Sequence, residues 1–120
     1  MLIDSNLLIY ASQPRHQALR HWLIENATHY SVISRLETLG YQYINEPDAL
    51  QIHAILDNLT QVHIDEIVIE LAIRLRQQRK MSLGDALIAA SCLAQALPFA
   101  TANTKDFDWI DGLHVYNPLA

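Results

Sequence analysis

Four carboxylates stand where apolar sequence gives way to polar sequence. Asp4 ends Met1-Leu2-Ile3 in "MLIDSN", and Glu37 follows "YSVIS" in "SRLETLG". Asp85 opens the long apolar run of "MSLGDALIAA", and Asp106 follows "LPFA" in "TANTKDF". Clustered carboxylates repel one another, and each costs stability unless something neutralises it. A hard divalent cation does so, taking oxygen ligands from one or two carboxylates and keeping several waters. Mg²⁺ or Mn²⁺ held in this way polarises a phosphate oxygen and supplies an activated water, which is the chemistry of phosphodiester hydrolysis. Each acid also has a plainer account. Asp4 suits a turn and Asp106 a helix cap, while Ser34–Glu37 and Ser82–Asp85 have the spacing of capping boxes. One such coincidence is common; four at matching junctions suggest a shared site.

Such a site needs elements that carry all four junctions to one edge. Met1–Ile3 reads as a buried strand with a polar exit, followed by a short helical turn through Leu7–Tyr10. Pro14 suits an early helical position, and Ala18, Leu19, Trp22 and Leu23 then recur at helical spacing. "HYSVIS" is a second strand ending at Ser34, whose capping box opens a helix through about Ile44. Pro47 begins another helix through Leu59, "TQVHI" alternates like a strand, and Asp65 caps a helix whose apolar face is Ile67, Val68, Leu71, Ala72 and Leu75. The run after Asp85 is apolar around its whole circumference, so its helix belongs in the interior. Pro98–Thr101 forms a strand, Asp106–Ile110 a short helical piece and "LHVYN" a last strand. Strands alternating with helices predict parallel pairing in an α/β layered domain. In such a sheet, the carboxyl edge is where loops lead into helix N-termini, and all four acids map to it.

The chain has 120 residues, 51% hydrophobic, with no repeat or low-complexity segment, and is expected to form one domain over 1–120. Cys92 is the only cysteine, which excludes a disulfide framework and a cysteine metal site. No membrane span or leader sequence is apparent, so a cytoplasmic location is expected. The net charge of -5 argues against a protein that coats nucleic acid. Arg74, Arg76, Arg79 and Lys80 nevertheless cluster, as a solvated helix end or as a local contact for a polyanion. The six histidines lack metal-site spacing. There is no phosphate-binding glycine loop, and Ser5, Ser34 and Ser82 read as supports and caps.

The same segments resemble the PIN domain family, in particular its short VapC-type toxin ribonucleases, nearly end to end. "MLIDSNLLIYA" is similar to the opening strand and D-[ST]-[NS] motif, which implies Asp4 as a metal-binding acid oriented by Ser5 and Asn6. "YSVISRLETLGY" resembles the second motif and carries over Glu37. "RKMSLGDALIAASCLAQALPFATANTKDF" is the most specific match, carrying over Asp85 and Asp106, with Thr101 and Asn103 beside the latter; Asn103 stands where many relatives place an acid. The resemblance implies a three-layer α/β/α domain with a short, mainly parallel central sheet. It implies an Mg²⁺- or Mn²⁺-dependent endoribonuclease, the toxin of a toxin–antitoxin pair. Asp4 and Asp85 would be the metal ligands, Glu37 would complete the site or orient the water, and Asp106 would serve a second ion or its water. It further implies an RNA substrate positioned by Arg74, Arg76, Arg79 and Lys80, a homodimer, and a small antitoxin. The alternative is a PIN-like module that only binds protein or RNA. Loss of a core acid would mark that alternative, and Asp4, Glu37 and Asp85 are all present. A flap-cutting DNA nuclease is disfavoured, because the chain lacks the insertions needed to thread a branched strand.

Overall fold

A computed structural model describes residues 1–120. Five strands, β1 (Leu2–Ile3), β2 (His29–Ser31), β3 (Thr60–Val62), β4 (Phe99–Ala100) and β5 (Val115–Tyr116), form one sheet in the order β3-β2-β1-β4-β5. All four pairings are parallel. Both residues of β1 are fully buried, as expected of a central parallel strand covered on both faces.

Six helices supply the covers: α1 (Ser5–Ala11), α2 (Gln17–Asn26), α3 (Val32–Leu39), α4 (Glu46–Leu56), α5 (Glu66–Gln78) and α6 (Leu83–Gln95). The two-residue period of the strands divides the core. Leu2, Val62 and Phe99 join α5 and α6 on one face, where Phe99 meets Phe107 edge to face with centroids 4.8 Å apart. Ile3, Tyr30 and Ala100 join α1, α2 and α4 on the other. The result is an α/β/α sandwich. α3 reaches both cores, with Ile33 packed on the first and Leu39 on the second.

The register explains where a site must lie. Leu2 pairs with Phe99 and Ile3 with Ala100, so β1 and β4 end level with each other. From β1 the chain moves outward through β2 and β3, then returns to β4 on the opposite side of β1. That reversal opens a crevice beyond the carboxyl ends of β1 and β4, the usual ligand position in open α/β sheets. Asp4 follows β1 directly, and Thr101 follows β4 directly.

Local chemistry moves several expected boundaries. β2 stops at Ser31, not Ser34, because the Ser31 hydroxyl accepts from Ile33 N–H and caps α3. The Ser34 capping box therefore does not exist, and Ser34 is wholly buried inside the helix. α3 ends at Leu39 rather than near Ile44; Gly40 follows, where a Cβ would lie 2.3 Å from the Leu36 carbonyl oxygen. Asp106 is not a helix cap: it ends a 3₁₀ turn, Thr104–Asp106, and 107–109 are turn and 110 a bend rather than helix. Asp65 caps α5 as expected, its carboxylate accepting from Val68 N–H. α6 is closed by Ala96 in the left-handed region (φ 52°), with Leu97 N–H bonded to the Cys92 carbonyl at 2.9 Å.

Candidate functional site

Asp4 is the fixed point of the crevice. It is only 4% exposed and serves as N-cap of α1. Its Oδ1 accepts from Ser5 N–H at 2.8 Å, and its Oδ2 accepts from the Thr101 hydroxyl at 2.7 Å. Thr101, fully buried, accepts in turn from Asn103 N–H at 3.0 Å. The loop after β4 thus holds the acid after β1, and Asn103 contributes its backbone while its side chain stays at the exposed rim.

A second chain of bonds draws in α3. Ser5 Oγ lies 2.8 Å from Glu37 Oε1 and 2.9 Å from Ser34 Oγ. Ser5 has one hydroxyl proton and a carboxylate can only accept, so that proton goes to Glu37 and Ser34 donates to Ser5. Thr38 then bonds the Ser34 carbonyl at 2.8 Å, which stiffens the same turn of α3. Glu37 itself is exposed on one side and rests against α6 on the other. A Cβ built on Gly84 would lie 2.7 Å from Glu37 Oε2.

Asp85 occupies the first turn of α6, where its backbone N–H bonds the Ser82 hydroxyl at 3.1 Å. Only half of the expected capping box forms: no backbone N–H donates to the Asp85 carboxylate. The charge pattern shows which acids feel one another. Asp4 is pushed up to about 6, first by burial; the Thr101 and Ser5 hydrogen bonds oppose this, and the nearby charges of Asp85 and Glu37 add to it. Asp85 is also raised, first by burial and then by Asp106 and Glu37, with Ser82 pulling the other way. Asp4, Glu37 and Asp85 therefore share one field, and Asp106, exposed, joins it from the Asp85 side.

The donor set suits a hard cation. No three His, Cys, Asp or Glu side chains are preassembled as a metal cage. An ion that takes one or two carboxylates and completes its shell with water needs no such cage. A buried carboxylate raised to about 6 despite two hydrogen bonds is a group lacking a positive neighbour. Asp4 and Asp85 fit that role. Asn6 lies exposed on the first turn of α1, and Ser82 is exposed at the start of α6.

The basic cluster lies at the end of α5, all four residues exposed. Arg76 Nε bonds the Met81 carbonyl at 3.2 Å, and the Arg79 guanidinium sits 4.8 Å from the Trp109 ring. Both contacts tie the cluster to segments leading into and out of the acidic site. Gly84 and Ser31 were not legible as site residues. The adjacent "GD" of "SLGDA" is the only hint of a close approach.

The chain belongs to the PIN domain family, whose model matches residues 1–113. Among solved structures it is similar to a chain of a toxin–antitoxin complex from Klebsiella pneumoniae, at 29% identity and a TM-score of 0.78, over 98% of this chain and 96% of that one. It also matches a chain of Rickettsia felis VapBC2 bound to promoter DNA (22% identity, TM-score 0.78, coverage 97% and 96%). A third match is DNA-bound VapBC from Salmonella typhimurium (17%, 0.81, 97% and 96%). No curated protein matches. The family match makes this a PIN domain, and the structural matches show the same fold along almost the whole chain. No helix is long and apolar enough to cross a membrane.

Proposed function

We propose that the protein is a divalent-metal-dependent endoribonuclease, residues 1–120 acting as one unit, and the toxin of a toxin–antitoxin pair. The observation that carries this reading is the buried Asp4 carboxylate at the β1/β4 crevice, sharing a field with Glu37 and Asp85. Asp4 and Asp85 would hold Mg²⁺ or Mn²⁺, which when bound would supply Lewis acidity toward a phosphate oxygen and an activated water. Thr101 and Ser5 N–H fix both oxygens of Asp4, so little reorganisation is needed on binding. Glu37, set by Ser5 and by the Gly84 surface, is the group placed to orient the attacking water and accept its proton. Asp106 adds negative charge at the Asp85 side, suited to a second ion.

The neighbours' toxin–antitoxin assemblies support a small protein partner, the antitoxin. Ile69, Ile73 and Leu83 leave apolar surface exposed along α5 and α6, which supports a homodimer. The deciding experiment incubates purified, antitoxin-free protein with structured RNAs in Mg²⁺, in Mn²⁺ and in chelator. Cleavage only with metal is the expected result; metal-independent cleavage, or none, would overturn the reading.

Two further outcomes follow from the surroundings. Neutralising Arg74, Arg76, Arg79 and Lys80 should weaken RNA binding and lower the slope of log affinity against log salt by about 0.7 for each single-strand phosphate no longer neutralised. An unchanged slope would leave the cluster as a solvated helix end. Gly84→Ala should leave the melting temperature within a few degrees of wild type, since alanine's better helix propensity offsets the strain of displacing the Glu37 carboxylate from its bond to Ser5. The same displacement moves Glu37 off its position, and cleavage should fall on the order of a hundredfold. Full activity in Gly84→Ala would show that the Glu37 position is not critical.

A further inference from the structure

Beside the acidic site, and sharing Glu37 with it, lies a cleft of about 410 Å³ between α1, the end of α3 and the start of α4. Its mouth carries Tyr41 and Tyr43, 49% and 75% exposed, and neither belongs to the buried cores. The two rings meet edge to face, centroids 5.5 Å apart at 79°. Ile44 N–H bonds the Tyr41 carbonyl at 3.1 Å, closing a turn that holds both rings over the cleft. Ile44 and Ile52 provide apolar lining. The polar lining is mostly acceptor: the Glu37 and Asp48 carboxylates, and Gln13, whose Oε1 has no donor in the chain.

We infer that this cleft is a subsite for one unpaired nucleobase of the RNA strand cut at the acidic site, with a preference for a base that carries an exocyclic amino group. The inference rests on the ribonuclease reading and specifies its substrate. Exposed aromatic rings offer faces for a base to stack on, and such stacking requires an unpaired strand. Two carboxylates on the walls repel phosphate, so the cleft favours a neutral base over the backbone. An acceptor-rich wall meets the exocyclic amino N–H donors of adenine, cytosine or guanine, whereas uracil has no amino group and can offer it only its N3–H. Glu37 lines both the cleft and the acidic site, so a base held there places a neighbouring phosphate near Asp4 and Asp85.

The test measures anisotropy of labelled oligo(rA), oligo(rC) and oligo(rU) with the full chain in chelator, where cleavage is suppressed. Metal-dependent cleavage of a stem-loop RNA is followed in parallel. Tyr43 is exposed, so Tyr43→Ala should fold normally. It should weaken oligo(rA) binding roughly tenfold, while Tyr43→Phe retains wild-type affinity because the ring rather than the hydroxyl carries the stack. Wild type should bind oligo(rA) and oligo(rC) more tightly than oligo(rU). Equal affinity of Tyr43→Ala and wild type, or no discrimination against oligo(rU), overturns the subsite even when wild type cleaves the stem-loop. Unchanged RNA affinity combined with loss of a co-expressed antitoxin would overturn it and assign the cleft to protein. Absence of cleavage by wild type in Mg²⁺ and Mn²⁺ marks failure of the ribonuclease reading instead.

Discussion

Asp85→Asn is expected to melt within a few degrees of wild type while losing roughly a thousandfold in metal-dependent RNA cleavage. The two quantities separate because Asp85 sits where a cap and a ligand coincide. The backbone N–H of residue 85 donates to the Ser82 hydroxyl and keeps that bond in the variant, since only the side chain changes. Removing a negative charge from the first turn of α6 costs about 0.3–1 kcal/mol of dipole stabilisation. Burial and the charges of Asp106 and Glu37 already disfavour the ionised form, so the loss is offset. Metal binding has no such compensation. A neutral amide binds Mg²⁺ poorly, and a thousandfold corresponds to ~4 kcal/mol of transition-state stabilisation. Near-normal cleavage with a clearly lowered melting temperature would make Asp85 a structural residue and little more.

The second large effect is on stability and is read through pH. Asp4 is raised from 3.8 to about 6, so the folded chain holds a proton there that the unfolded chain releases. A raised acid stabilises the fold below its unfolded value and loses that advantage as pH climbs through its folded value. Between pH 3 and pH 7.5, metal-free protein should therefore lose about 3 kcal/mol through this one residue, at 1.36 kcal/mol per pH unit of displacement. Asp4→Asn removes the penalty. Its amide oxygen can still accept from Ser5 N–H, and its NH₂ can donate to Thr101. In chelator the difference in stability between variant and wild type should be near zero at pH 3 and grow to about 3 kcal/mol in favour of the variant at pH 7.5. Adding Mg²⁺ at pH 7.5 should raise the melting temperature of wild type and leave Asp4→Asn unmoved. If Asp4→Asn proved less stable than wild type in chelator at pH 7.5, the Asp4 charge would already be compensated.

Much of this arrangement was legible where local and long-range signals agree. Leu2-Ile3 is apolar, short and followed by a polar turn, and it is a fully buried central strand. Ser82 caps α6 as its spacing suggested. The reading failed where two local preferences compete. Val32 and Ile33 are β-branched, and by propensity they extended β2. The Ser31 hydroxyl instead satisfies Ile33 N–H and starts the helix there. The shift matters chemically: Ser34 moves from a solvent-facing cap to the buried floor beneath Ser5 and Glu37. Asp106 was displaced similarly, since a 3₁₀ turn leaves no periodicity to read over three residues. The contact of Gly84 with Glu37 was invisible because it joins residues whose meeting depends on how α3 and α6 pack, which no local pattern encodes.

The bond between Thr101 and Asp4 spans 97 positions of chain and closes the crevice. During synthesis, at roughly 5–20 residues per second, the two ends of that bond leave the ribosome on the order of 5–20 s apart. Through that interval β1 has only its β2 side to pair with, and Asp4 is neither buried by β4 nor anchored by Thr101. Asp85 arrives only shortly before Thr101 does. The acids therefore come together only as the final strands join the sheet.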